Sequence, residues 1–205
     1  DIIYAGDGDD LILANNVHFA ADTYDGGAGK DTISFALKDF SSTAVGVNFS
    51  LTTHSINIEN VTGSDFADTL TGDNNANHIK GGNGVANDVI IALGGNDALE
   101  GQDGDDQLDG GTGADVITTG GGNDLIVLRA GDGGNSLSDA DRITDFTDGS
   151  DTFSLVGGLS YSDLTIAQGT GNEANNTIIS KGSEYLAILN GINADLISEA
   201  DFVLA

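Results

Sequence analysis

Seven residues of closely related chemistry recur along the middle of the chain: Asp68, Asn77, Asp88, Asp97, Asp106, Asp115 and Asp124. Each closes a short stretch rich in Gly, Asn and Asp. Two residues after each stands a large aliphatic: Leu70, Ile79, Ile90, Leu99, Leu108, Ile117 and Ile126. Short carboxylates on a backbone that bends tightly are hard oxygen ligands, the donor set that a divalent cation such as Ca2+ takes. The aliphatic column needs burial instead. The chain therefore offers ligands and a core at a fixed offset from each other.

The elements that must position these residues follow from the spacing. Residues 63–127 fall into lines of nine: GSDFADTLT, GDNNANHIK, GGNGVANDVII (two residues longer), ALGGNDALE, GQDGDDQLD, GGTGADVIT and TGGGNDLIV. The first six residues of a line are turn chemistry, with several positions free to take positive φ. The last three form a short strand whose eighth residue points inward. Two lines make a coil of eighteen residues, so each line lies under the next but one and the strands stack in parallel. The expected fold is all-β, a right-handed parallel β-roll built without helices.

The same lines appear near the N-terminus. AGDGDDLIL (5–13) places Asp10 and Ile12 in the two columns, and GGAGKDTIS (26–34) places Asp31 and Ile33 there. ANNVHFAADTYD (14–25) fits with three inserted residues, aligning Asp22 and Tyr24. Residues 35–62 lose the glycines and read as an irregular β insertion within the roll, with VGVNFSL and SINIENVT as its strands. The expected organisation is 1–34 for N-terminal repeats, 35–62 for the insertion, 63–127 for the main block and 128–205 for a C-terminal β cap.

Composition narrows the function. The 205 residues carry 33 Asp and Glu against 6 Lys and Arg, a formal charge of −27. Such a surface excludes nucleic acid and repels an anionic membrane. No apolar run approaches the roughly 18 residues of a membrane helix. With no Cys, neither disulfides nor thiolate metal sites are available. The acids are mostly Asp beside Gly rather than solvating runs, so the charge reads as ligand capacity.

These residues resemble the RTX family of type I-secreted bacterial proteins, whose repeat is G-G-x-G-x-D-x-U-x. GGAGKDTIS matches every fixed position; AGDGDDLIL and GGTGADVIT depart by at most one. The resemblance covers 5–34 and 63–127 directly, and DRITDF with DGSDTFSL resembles the segment that follows the last such repeat. It implies Ca2+ between turns stacked eighteen residues apart. One turn gives the carbonyls of its second and fourth residues and its Asp, and the turn above gives those of its first and third and its Asp.

Carried over, Gly6, Gly8 and Asp10 would face Gly26, Ala28 and Asp31. Gly82, Gly84 and Asp88 would face Gly101, Asp103 and Asp106. Gln102, Gly104 and Asp106 would face Thr119, Gly121 and Asp124, and on the other edge Leu93, Gly95 and Asp97 would face Gly110, Thr112 and Asp115. Two further pairings depart from the pattern and are expected to be weaker. In Asp73, Asn75 and Asn77 under Ala92, Gly94 and Asp97, Asn77 replaces the carboxylate of its line, and its turn GDNNAN has no glycine at positions two to four. Ser64, Phe66 and Asp68 under Gly81, Asn83 and Asp88 carry Phe66 in a glycine position. The insertion at Val85 and Ala86 is expected to distort its turn. The implied load is about six Ca2+, held at roughly 10⁻⁴–10⁻³ M each.

Other chemistries fail on their residues. An EF-hand over Asp105–Val116 lacks the terminal Glu. No G-x-S-x-G or H-E-x-x-H occurs, and His18, His54 and His78 are isolated. GGAGK (26–30) has Asp31 where a phosphate loop needs Ser or Thr. The chain is not expected to be an enzyme in itself.

Beyond residue 127 the glycines thin out. Alternating stretches at Asp151–Leu155, Thr177–Ser180 and Tyr185–Leu189, the last followed by Asn190-Gly191, read as antiparallel strands covering the open end of the roll. SEADFVLA resembles a C-terminal type I export signal and also suits a capping strand.

The sequence opens at Asp1 inside a repeat, as a C-terminal piece of a longer secreted protein would. The expected role is a calcium-binding module, extracellular or on the cell surface, that folds after passing the type I secretion machinery. The alternatives are an adhesive protein that self-associates or binds an extracellular polysaccharide or surface, and an accessory module of an exported enzyme.

Overall fold

The computed structural model describes residues 2–15, 22–36 and 45–204. His18 and parts of the 14–25 line and of the 35–62 insertion lie outside them. The strands are β1 (Ile2–Asp7), β2 (Leu11–Leu13), β3 (Thr23–Ala28), β4 (Thr32–Ser34), β5 (Asn48–Ser50), β6 (Ser55–Ile56) and β7 (Asn60–Thr62). They continue as β8 (Thr69–Thr71), β9 (His78–Lys80), β10 (Val89–Ile91), β11 (Ala98–Asp103), β12 (Gln107–Asp109), β13 (Val116–Gly121) and β14 (Leu125–Arg129). The last are β15 (Asp141–Ile143), β16 (Thr152–Val156), β17 (Thr165–Gln168), β18 (Thr177–Lys181), β19 (Glu184–Leu189) and β20 (Phe202–Leu204).

Consecutive strands alternate between two facing sheets. One runs β20-β16-β14-β12-β10-β8-β5; the other runs β17-β18-β19-β15-β13-β11-β9-β7-β4-β2. A third, β1-β3-β6, pairs strands of the first repeats with one from the 35–62 segment. All pairings are parallel except β17-β18 and β18-β19. The register is the one the spacing predicts: Val89 pairs with Gln107, Ala98 with Val116 and Gln107 with Leu125. The chain is a parallel β-roll with an antiparallel C-terminal addition.

Three-residue strands suffice in the repeat block because β8, β9, β10 and β12 each bury only their middle residue. Val61, Ile79, Leu99, Ile117 and Ile143 line one sheet, Phe49, Leu70, Ile90, Leu108, Ile126 and Phe153 the other, and all are essentially inaccessible. Each side chain contributes about 1.5–3 kcal/mol, a thin core for coils this long. In the insertion, β5 and β7 join the two facing sheets and β6 joins the third, while a four-residue helix (Leu51–His54) links β5 to β6.

Two expectations for the tail are corrected. The stretch Asp151–Leu155 is not antiparallel: β16 pairs in parallel with β14, and the roll runs on past residue 127. The hairpin turn lies between Lys181 and Glu184, where Gly182 takes φ +61°, and not at Asn190-Gly191. β19 is already paired on both edges, by β18 and β15, so a hairpin after it would have no place to go.

Candidate metal centre

Stacking turns every coil puts the sixth-position residues of a line in columns along both edges of the roll, and the structure links them into ladders. Asp68 N–H donates to Asp88 Oδ1 (2.8 Å), Asp88 N–H to Asp106 Oδ1 (2.7 Å) and Asp106 N–H to Asp124 Oδ1 (2.8 Å). On the other edge Asn77 N–H donates to Asp97 Oδ1 (2.7 Å) and Asp97 N–H to Asp115 Oδ1 (2.8 Å). At the N-terminal end Asp10 N–H donates to Asp31 Oδ1 (2.8 Å).

Asp31, Asp97, Asp106, Asp115 and Asp124 thus spend Oδ1 on a neighbour's N–H, and their second oxygen is left bare. Oδ2 of Asp10, Asp31, Asp97, Asp106, Asp115 and Asp124 is buried and accepts no hydrogen bond. A buried charged oxygen without a donor is costly. Burial accordingly pushes Asp88, Asp97 and Asp124 up to about 7, and Asp106 and Asp115 to about 6; the backbone N–H each accepts pulls the other way, and neighbouring acids add to the rise. What the columns lack is positive charge.

The turns supply more oxygen. Carbonyls at the second and fourth positions aim at the turn above, where only a glycine fits. A Cβ on Gly113 would lie 1.5 Å from the Gly95 oxygen, and one on Gly120 would lie 1.8 Å from that of Gln102. Both glycines also have positive φ, +136° and +100°. First-position carbonyls aim downward: the Thr119 oxygen would lie 2.4 Å from a Cβ on Gly101, and that of Gly101 lies 2.6 Å from one on Gly81. At the third position, Ala28, Thr112 and Gly121 carbonyls accept from Gly8, Gly95 and Gly104 N–H at 2.7, 3.0 and 2.8 Å.

The residues named from the sequence are brought together unequally. Gly6, Gly8 and Asp10 lie against 26–31; Leu93, Gly95 and Asp97 lie against Gly110, Thr112 and Asp115; Gln102, Gly104 and Asp106 lie against Thr119, Gly121 and Asp124. For the turn 81–88 the placement is corrected. The carbonyl beneath Gly104 belongs to Ala86, and Gly84 faces Asp65 instead, because the two extra residues shift the turn relative to Asp88. Gly82 keeps its place above Ser64.

The two irregular turns differ in kind. Asp68 accepts from Val47 N–H (2.6 Å), Ser64 N–H and Ser64 Oγ (2.8 Å), so both its oxygens have donors already. Phe66 stands partly exposed beside it. In the other, Asp73 N–H donates to Asn77 Oδ1 (2.8 Å) and the Asp73 carbonyl accepts from Gly94 N–H (3.2 Å). Asn77 offers a buried, unpartnered Nδ2 where its neighbours offer oxygen, and an amide hydrogen cannot meet a cation.

Three column members were missed. Asp31 N–H donates to Glu59 Oε2 (2.8 Å), Asp115 N–H to Asp141 Oδ1 (3.0 Å) and Asp124 N–H to Asp151 Oδ1 (3.2 Å). Each stands two residues before an inward apolar residue, Val61, Ile143 or Phe153, which is the signal that could have found them. His78, read as a solvated strand residue, lies on the outer face, with Nε2 2.7 Å from Glu100 Oε1.

Among the described residues no three His, Cys, Asp or Glu side chains converge as a metal cluster. The bare Oδ2 atoms, the converging carbonyls and the all-oxygen donor set fit Ca2+.

The family model for the RTX calcium-binding nonapeptide repeat (4 copies) matches residues 1–16, 20–34, 62–99, 85–117 and 100–134, together just over half of the chain. No curated protein matches its sequence. Among solved structures, the AlgE6R3 subunit of the Azotobacter vinelandii mannuronan C5-epimerase is 26% identical with a TM-score of 0.41, over 68% of this chain and 78% of that one. The AlgE6R2 subunit of that epimerase is 22% identical with a TM-score of 0.37, over 72% and 93%. The extracellular lipase LipA of Serratia marcescens is 16% identical with a TM-score of 0.49, and this chain spans 38% of its length.

Proposed function

Because this chain belongs to the RTX calcium-binding nonapeptide repeat family, we propose that it is a module whose roll folds on binding Ca2+ outside the cell. The observation that carries the reading is the pair of carboxylate ladders whose second oxygens are buried without donors. Bound Ca2+ supplies the counter-charge that lets stacked acids share a low-dielectric interior. The chain's own residues do the rest. Asp97 with Asp115, Asp106 with Asp124 and Asp10 with Asp31 hold each ion from successive coils, and the turn glycines let carbonyls approach it.

Coupling of this kind makes binding energy part of folding energy. At about 10 mM Ca2+ and sites of roughly 10⁻⁴–10⁻³ M, each ion contributes about 1.4–2.7 kcal/mol. In calcium-poor cytosol that contribution is absent, so the chain stays unfolded for export and orders outside. No helix among the described residues is long and apolar enough to cross a membrane. In this reading Ser198–Leu204 serve twice: as part of the export signal in the unfolded chain, and afterwards as β20, where Phe202 stacks on Phe153 at 5.3 Å.

Far-UV circular dichroism tests the proposal. At pH 8 chelated protein is expected to show little strand signal and to gain it cooperatively as Ca2+ rises into the millimolar range. Full strand signal in chelator refutes it.

A further inference from the structure

The dipeptide Asn-Gly occurs twice in the chain, at Asn83-Gly84 and at Asn190-Gly191. A glycine after asparagine has no Cβ to shield its nitrogen, so that nitrogen can close on the asparagine side-chain carbonyl. Hydrogen bonds on either group hold them apart. The two dipeptides differ in how they are held.

Asn190-Gly191 is tied on every side. Gly191 N–H donates to Asn176 Oδ1 (2.9 Å), Arg142 donates to Asn190 Oδ1 (2.6 Å), and Asn190 N–H donates to the Ile143 carbonyl (3.0 Å). Asn83-Gly84 has no such bonds. Among the described residues neither the Asn83 side-chain amide nor the Gly84 N–H has a hydrogen-bond partner, and Asn83 is exposed.

The cause is the insertion at Val85 and Ala86. In regular turns the fourth residue donates its N–H to the rung above, as Gly8, Gly95 and Gly104 do at 2.7, 3.0 and 2.8 Å. Gly84 is fourth in its own line but faces Asp65, and its N–H misses that acceptor. Other turn asparagines are sheltered by the stack itself. Asn87, Asn96 and Asn123 precede column aspartates whose N–H groups are engaged in the ladders, at 2.7, 2.8 and 3.2 Å. The insertion leaves Asn83 outside that shelter.

We propose that Asn83 is a self-modification site, where the side chain deamidates through a cyclic imide with water as the only co-reactant. The Gly84 nitrogen gives its proton to solvent and forms a bond with Asn83 Cγ. The Cγ–Nδ2 bond breaks, and the nitrogen takes up a proton from water and leaves as ammonia. Water then opens the imide. Cleavage at Cγ gives aspartate; cleavage at the main-chain carbonyl gives isoaspartate, whose backbone runs through Cβ and Cγ. The net change replaces NH2 by OH, and the new carboxyl ionises; nothing is oxidised or reduced. The product adds negative charge to the turn that carries Asp88, and as isoaspartate it lengthens a turn already two residues longer than its neighbours.

Peptide mapping by mass spectrometry, on the whole folded chain aged in saturating Ca2+ at pH 8, tests the proposal. Asn190 must first give up two hydrogen bonds, so Asn83 is expected to convert roughly tenfold faster or more. In denaturant, where neither is held, the two should convert at similar rates. Isoaspartate-specific methylation should label the peptide containing residue 83 and be absent there from Asn83→Gln. Equal rates at Asn83 and Asn190 in the folded chain overturn the site. So does an Asn83 that converts in denaturant but stays intact when folded.

Discussion

Between residues 63 and 127 Asp97, Asp106, Asp115 and Asp124 have one oxygen hydrogen-bonded and the other bare, whereas between 128 and 204 several acids find donors within the protein. Arg142 pairs with Glu173 (2.9 Å) and donates to Asn190 Oδ1 (2.6 Å). Ser136 with Asp139, Ser160 with Asp163 and Ser198 with Asp201 form reciprocal caps on short 3-10 turns. The shifts follow suit. The Arg142 hydrogen bond holds Glu173 below its ordinary range, and Ser160 does so for Asp163, while burial raises the column acids. The core differs too: a ring stack of Phe146, Phe153 and Phe202 fills the end of the roll, at 5.1 and 5.3 Å, where the repeats have single aliphatics. One chain thus contains a region whose charge is balanced from within and a region that needs an outside cation.

The largest break in that contrast comes from pH in the absence of metal. The folded-state values of about 6 to 7 for Asp88, Asp97, Asp106, Asp115 and Asp124 lie above the ordinary 3.8, so the folded, metal-free roll binds more protons than the unfolded chain. The stabilisation is full below about pH 4 and disappears as pH rises through about 7. In chelator the roll should therefore melt higher at pH 5 than at pH 8, and the apparent Ca2+ affinity should run the opposite way. A flat melting temperature across that window would contradict the shifts.

Asp106→Ala comes next, because Asp106 links Asp88 below to Asp124 above. Losing two adjacent sites should remove about 3–5 kcal/mol at 10 mM Ca2+ and lower the cooperativity of the titration. An unchanged midpoint and slope would show that the stacking is wrong.

Gly113→Ala probes the carbonyls alone. Its Cβ would collide with the Gly95 oxygen at a backbone of φ +136°, for a loss of roughly 1–3 kcal/mol, read as a lower melting temperature in saturating Ca2+. Glu173→Gln should have the smallest effect. The pair with Arg142 is partly exposed and screened by solvent, so about 0.2–1 kcal/mol is expected, equal with and without Ca2+. A calcium-dependent effect there would blur the division between the two regions.

The sequence made the repeat block legible because two columns at a fixed offset leave one way to stack them. Asp88, Asp97, Asp106, Asp115 and Asp124 all lie on ladders, and Ile90, Leu99, Leu108, Ile117 and Ile126 are all inside. The tail was harder to read because insertions hide the period. Asp115 and Asp141 are 26 residues apart, and Asp124 and Asp151 are 27 apart, so the eighteen-residue coil spacing misses both while the D-x-U spacing survives. Ala86 in place of Gly84 is the same lesson inside one turn: past the two inserted residues the distance from Asp88 sets a residue's height in the stack, while Gly82 before them keeps its count from the first glycine. That Asp68 would be satisfied by Ser64 could not be read at all, since it depends on which way one hydroxyl turns.

Residue-resolved amide hydrogen exchange, run with Ca2+ and with chelator, puts the difference between the two regions to the sharpest test. Protection at Asp88, Asp97, Asp106 and Asp115, whose N–H groups form the ladders, should fall steeply when the metal is withdrawn at pH 8. If those amides exchange equally slowly in both conditions, the ladders hold without a cation and the account fails.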